Sequence, residues 1–214
     1  MHEFLDKLER KFGSHAIQHL TLIIIVGQVI IYLFAQSGNF DISRIILNSN
    51  AIKQGEWWRS FSFIFFPTTG GNIIFALFYW YMFWFFGKGL EEKWGLFKSN
   101  IFLLCGYFFL VALSFLDPAG VYFAWHIMPM ITIAFAIIYP EFELNLYGVL
   151  PVKSKWFGIL SALFIATNLF SGHSEGIFPS VATILCIIMF FGEDLLHNIK
   201  TRQRRAKFKR DMKQ

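Results

Sequence analysis

The chain has 214 residues, of which 56% are hydrophobic and only 15% charged, with a mean hydropathy of +0.51 and a formal charge of +5. A water-soluble domain of this length needs far more charge to stay dispersed, so the composition is that of an integral membrane protein. The two cysteines, Cys105 and Cys186, lie inside apolar runs, which argues against a disulfide framework or a metal site; each reads as a small hydrophobe in a helix interface.

Met1–Ser14 is charged with a helical pattern, and no small-x-small cleavage site follows it. Residues 1–15 therefore read as a cytoplasmic amphipathic segment rather than a signal peptide. Crossing the hydrocarbon takes about 20 apolar residues. Ala16–Gln36, Asn72–Lys88, Ser99–Phe115, Gly120–Tyr139, Trp156–Phe170 and Ile177–Phe191 answer that description, the last two with help from tilt or local thinning. Pro118, Pro140 and Pro151 mark span ends, and Gly70-Gly71 a turn before the second helix. The expected fold is all-α: a six-helix membrane domain over residues 16–196 and a basic cytoplasmic tail over 197–214.

Charge placement gives an independent check. With the amino end inside, only Arg44, Lys53 and Arg59 of the 19 basic residues fall on the outer side. That asymmetry follows the positive-inside rule and places both termini in the cytoplasm of a multi-pass plasma (inner) membrane protein. The tail from Lys200 to Lys213 suits anionic lipid headgroups; no nucleic acid is expected. Phe40–Thr69 is too polar to span and too apolar for a free loop. It reads as an external loop in the membrane interface, with Trp57 and Trp58 in the aromatic belt.

Two strings within this topology carry more information. Trp58-Arg59-Ser60-Phe61-Ser62 sits in the external loop, and Gly87-Lys88-Gly89-Leu90-Glu91-Glu92-Lys93-Trp94-Gly95 ends the second span. Gly87 and Gly95 would let helices approach closely, and Glu91 near the inner interface would accept backbone or hydroxyl hydrogen bonds. Arg59, on the opposite side, would tie the external loop through Glu56 or carbonyl groups. With six helices and a large first loop, these strings resemble the rhomboid family of intramembrane serine proteases and their inactive relatives. Trp58, Arg59, Ser62, Gly87, Leu90, Glu91 and Gly95 match its structural motifs over roughly Leu20 to Gly192.

The resemblance implies a Gly-x-Ser-Gly on helix four and a His on helix six, where serine attacks a peptide carbonyl and His takes its proton. The serine position falls near Trp125 and the His position near Pro179 or Ser180; no Gly-x-Ser-Gly occurs. The His and Asn on helix two that hold the oxyanion in the family lack counterparts in Thr68–Phe78. The expectation is a pseudoprotease that binds transmembrane segments of client proteins between helices two and five, with Phe83, Trp84, Trp125 and Trp156 as contact candidates. Gly172-His173-Ser174-Glu175-Gly176 spells a nucleophile elbow, which needs a strand-turn-helix that an all-helical domain lacks. The alternative is an active intramembrane serine protease using His126 with Ser180. His126 would lie about six residues, on the order of 9 Å, into helix four, level with Ser180 and Thr183. A transporter is disfavoured, because no chain of buried carboxylates marks a path. No cofactor or metal is indicated.

Overall fold

The computed structural model describes residues 2–38, 40–67, 72–117, 119–146 and 150–211. Among them stand eight α-helices: α1 His2–Phe12, α2 Leu20–Gln36, α3 Ser49–Lys53, α4 Arg59–Ser62, α5 Ile73–Ser114, α6 Met128–Ile138, α7 Ser154–Phe170 and α8 Ser174–Asp211. An antiparallel hairpin, β1 Glu143–Leu146 with β2 Leu150–Lys153, stands between α6 and α7. Two helices are long and apolar enough to cross a membrane, α5 and the Ser174–Glu193 part of α8. A third span results if α1 and α2, bent by 56°, count as one; Ala124–Ile138 and α7 are shorter apolar helices. Leu33, Phe75, Phe108 and Leu163 are each more than half exposed, a surface that suits a hydrocarbon solvent better than water.

The boundaries depart from the sequence reading in four places. The stretch expected to loop between the second and third helices is helical, because Lys88–Trp94 holds good helix formers and a Lys88–Glu92 pair one turn apart. The one break inside α5 is Gly95, at φ 81° and ψ 167°. That conformation needs glycine, so Gly95 acts through its backbone and not as the expected packing contact. Helix four starts later than expected. Tyr122 is extended and exchanges backbone hydrogen bonds with Leu47 at 2.9 and 3.1 Å, and a 3-10 turn, Ala124–Ile127, precedes α6 with Pro129 in its first turn. The hairpin adds strands to the expected all-α fold. Finally, α8 runs without a break to Asp211, so the backbone of the 197–214 tail continues the last helix up to that residue. The tail's basic side chains, Pro118 and the Gly70-Gly71 turn lie outside the described residues.

The central helix is α6, which packs on α5, α7 and α8 and carries the fully buried Met130, Ile131, Ala134 and Phe135. Close approach of α2 to α5 depends on Gly87, where an added Cβ would stand 2.3 Å from Thr21 Cγ2. Beside the Gly95 break, Lys98 bonds Asp6 at 2.6 Å and Glu9 at 3.5 Å, fastening α1, whose Leu5 enters the core.

Where α6 leads into the hairpin, Lys153 and Lys155 donate to Glu141 at 2.7 and 2.8 Å and hold its carboxyl down to about 2. An unperturbed Glu titrates near about 4.3, so this support is full above that value and is lost as pH falls toward about 2. Hydrogen exchange of the β1–β2 amides, normalised to unfolded-peptide rates, is expected to accelerate across that window. In Glu141→Gln the acceleration should already be present at neutral pH, with no step on acidification.

Candidate functional site

The 40–67 segment closes one end of the bundle, and its polar groups bind one another. Arg59 donates through Nε to Glu56, and through a terminal nitrogen to the carbonyls of Ser43 at 2.7 Å and Ile46 at 3.1 Å. The arginine therefore ties the loop as its sequence suggests. Trp58 Nε1 donates to the Arg44 carbonyl at 3.3 Å, while Ser62 Oγ is buried with no hydrogen-bond partner. Tyr107 of α5 donates to the Ser60 carbonyl, and Phe63 stacks on the same ring at 5.3 Å, so the loop is seated on the bundle.

The second string is mainly core. Leu90 is 1% exposed, and Gly87 receives Thr21. Glu91 departs from expectation: its Oε1 is buried and accepts no hydrogen bond from the described residues. Of the proposed contact residues, Phe83 is corrected. It is 2% exposed and stacks on Tyr79 at 6.0 Å inside the core. Trp84 is partly buried with Lys88 over its ring, whereas Trp125 and Trp156 are well exposed.

Beneath the loop end lies a cavity of about 490 Å³. Tyr79 of α5, Thr132 of α6, Asn168 of α7, Ser180 and Thr183 of α8, and Trp125 and His126 of the 3-10 turn all reach its wall. Trp125 and Pro179–Ser180, the positions at which the resemblance expected catalytic residues, face one space from two elements. Trp125 does not plug it; the ring is 42% exposed and packs on His126 at 4.9 Å. Asn72, an asparagine inside Thr68–Phe78, is not in the wall. It caps α5 by accepting the Ile74 N–H at 2.9 Å; residues 68–71 of that stretch lie outside the described residues.

His126 sits in the first turn leading into α6, not six residues down a helix. Its Nδ1 is 3.1 Å from both the amide nitrogen and the carbonyl oxygen of Phe123, so this ring nitrogen is bonded back into its own turn whichever tautomer it takes. No serine, threonine or cysteine among the described residues hydrogen-bonds to it, Ser180 included. Ser174 of the elbow-like string opens α8 and stands beside Asp117. The Asp117 carboxyl is held below the usual carboxylate range, first by the Ser174 hydroxyl and then by Tyr122, which donates to it at 2.9 Å. Ser174 is thereby part of a loop junction.

Sequence reasoning missed Asn168, Ser161 and Thr132 as cavity polar groups, and also a buried cross-link. Gln28 of α2 donates to the Ile64 carbonyl and accepts from Trp80 Nε1, both at 2.9 Å. A lone Gln in the middle of an apolar run was the available signal. No family model matches the chain, and neither does any curated protein or solved structure.

Proposed function

We propose that the chain is a rhomboid-like membrane protein without protease chemistry that binds transmembrane segments of client proteins at this cavity. Taking the limbs of α5 on either side of Gly95 separately, α2, α6, α7 and α8 complete six apolar helical segments, in keeping with that topology. The observation that carries the reading is the wall itself. Trp125 and Ser180 stand where a nucleophile and its base would be needed, and His126 is bonded into its own turn. A client would approach beside α7, where Trp156, Leu160 and Phe164 are exposed. Above the Phe86–Phe157 contact, α5 and α7 are separated by α6.

Photocrosslinkers at Trp125 and Trp156, in protein reconstituted in vesicles, should trap single-span protein segments; adducts with lipid alone would overturn the reading. A fluorophosphonate probe is expected to leave the protein unlabelled. Labelling that disappears in both Ser180→Ala and His126→Ala would replace the reading with an active intramembrane serine protease.

A further inference from the structure

We infer that the cavity selects client segments carrying a basic residue at the end nearest the 40–67 loop, with Glu175 as the counter-charge. The inference rests on the client-binding reading and adds the chemistry by which a client is chosen.

The cavity wall carries two hydroxyls that no described residue engages. Ser180 and Thr183 are each 4% exposed, and neither hydroxyl hydrogen-bonds to another described residue. Both are on one face of α8, one turn apart, with Gly176 and Pro179 beside them in the wall. Pro179 has no N–H, so the Glu175 carbonyl lacks the donor that a helix would give it. The Glu175 carboxylate lies at the mouth, exposed, and makes no ion pair with a described residue. No Lys or Arg lines the cavity. Its titratable groups are Glu175, His126, His173 and Tyr79, and the nearby Asp117 is already occupied by Ser174 and Tyr122.

Hydroxyls that open onto the cavity can accept from a ligand group placed there, and the exposed Glu175 adds a charge for that group to match. An ammonium brings three donors and a charge matched to Glu175, while its alkyl stem suits walls such as Phe164 and Met128. A carboxylate could accept from the hydroxyls but would face the Glu175 charge with no Lys or Arg in the wall to offset it. A wholly apolar side chain would leave every acceptor unbonded. Donor-bearing cations are the class that fits throughout.

The test uses full-length protein in phosphatidylcholine vesicles with a photocrosslinker at Phe164. The probes are segments of about 20 apolar residues that end, at the loop side, in Lys, Leu or Glu. The Lys segment is expected to crosslink about tenfold more than the Leu segment, as a charge-assisted contact of moderate strength would give. Glu175→Gln should bring Lys down to the Leu yield without changing the Leu yield, and Glu175→Lys should favour the Glu segment. The charge exchange guards against a misfolded variant, since a collapsed site gains no new preference. Equal yields for Lys and Leu in the unaltered protein would overturn this inference and leave client binding standing. Failure of all three segments to crosslink would overturn client binding, and the inference with it.

Discussion

Replacing Gln28 with Leu is expected to lower the unfolding free energy by about 3 kcal/mol. Gln28 is fully buried in α2, with its amide nitrogen on the Ile64 carbonyl and its oxygen on Trp80 Nε1. One side chain thereby fastens α2, the 40–67 segment and α5 together. Leu fills much of the volume but leaves an indole N–H and a carbonyl with no partner, each costing roughly 1–3 kcal/mol when buried. Single polar pairs between membrane helices average only about 0.6 kcal/mol, because the unfolded chain also finds partners in the bilayer. The larger figure applies here because two groups are orphaned by one change, and neither can turn to water. Unfolding in detergent should show the loss. In the Gln28→Leu background, Trp80→Phe should then cost less than it does alone, since the N–H it removes has already lost its acceptor. Simple additivity of the two changes would refute the cross-link as the source of the loss.

How much of this fold was legible depends on whether the signal is local. The apolar runs of α2, α5, α7 and α8 read directly because hydrocarbon demands them. The continuity of α5 did not, since Lys88-Gly89-Leu90-Glu91-Glu92-Lys93 suits an amphipathic turn of helix as well as a polar loop. Only the φ of Gly95 decides where the break falls. The hairpin was hidden for a related reason: four-residue strands, one with Pro151 inside, give no alternation to count. The late start of α6 follows from the Leu47–Tyr122 pairing, a contact between residues far apart in sequence.

The site divides in the same way. Arg59 could be assigned because a cation in an apolar loop must find acceptors, and Glu56 stands three residues before it. The cavity could not, because its wall gathers residues from Tyr79 to Thr183 that share no pattern. For His126 and Ser180 the sequence offered presence in the same region, but His126 Nδ1 is bonded to the Phe123 backbone, inside a turn that no periodicity announces.

Arg59→Met is expected to cost about 3 kcal/mol and to open the 40–67 segment. Two contributions compete in that figure. The ion pair with Glu56 looks the stronger, but the glutamate side chain is 39% exposed, and water screens it. The bonds to the Ser43 and Ile46 carbonyls come from a guanidinium whose side chain is only 13% exposed; Ser43 is exposed and can turn to water, but the part-buried Ile46 carbonyl is stranded and the tie between two turns of the loop is lost. The carbonyls should therefore dominate. Glu56→Gln, which removes the charge and keeps an acceptor, is expected to cost under about 1 kcal/mol. Arg59→Lys should recover less than half of the Met loss, because a single ammonium cannot reproduce the planar fork across three acceptors. Thermal unfolding in detergent, paired with limited proteolysis at Lys53, reads both stability and loop opening. A Glu56→Gln variant as damaged as Arg59→Met would show that the ion pair, and not the carbonyl tie, holds the loop together.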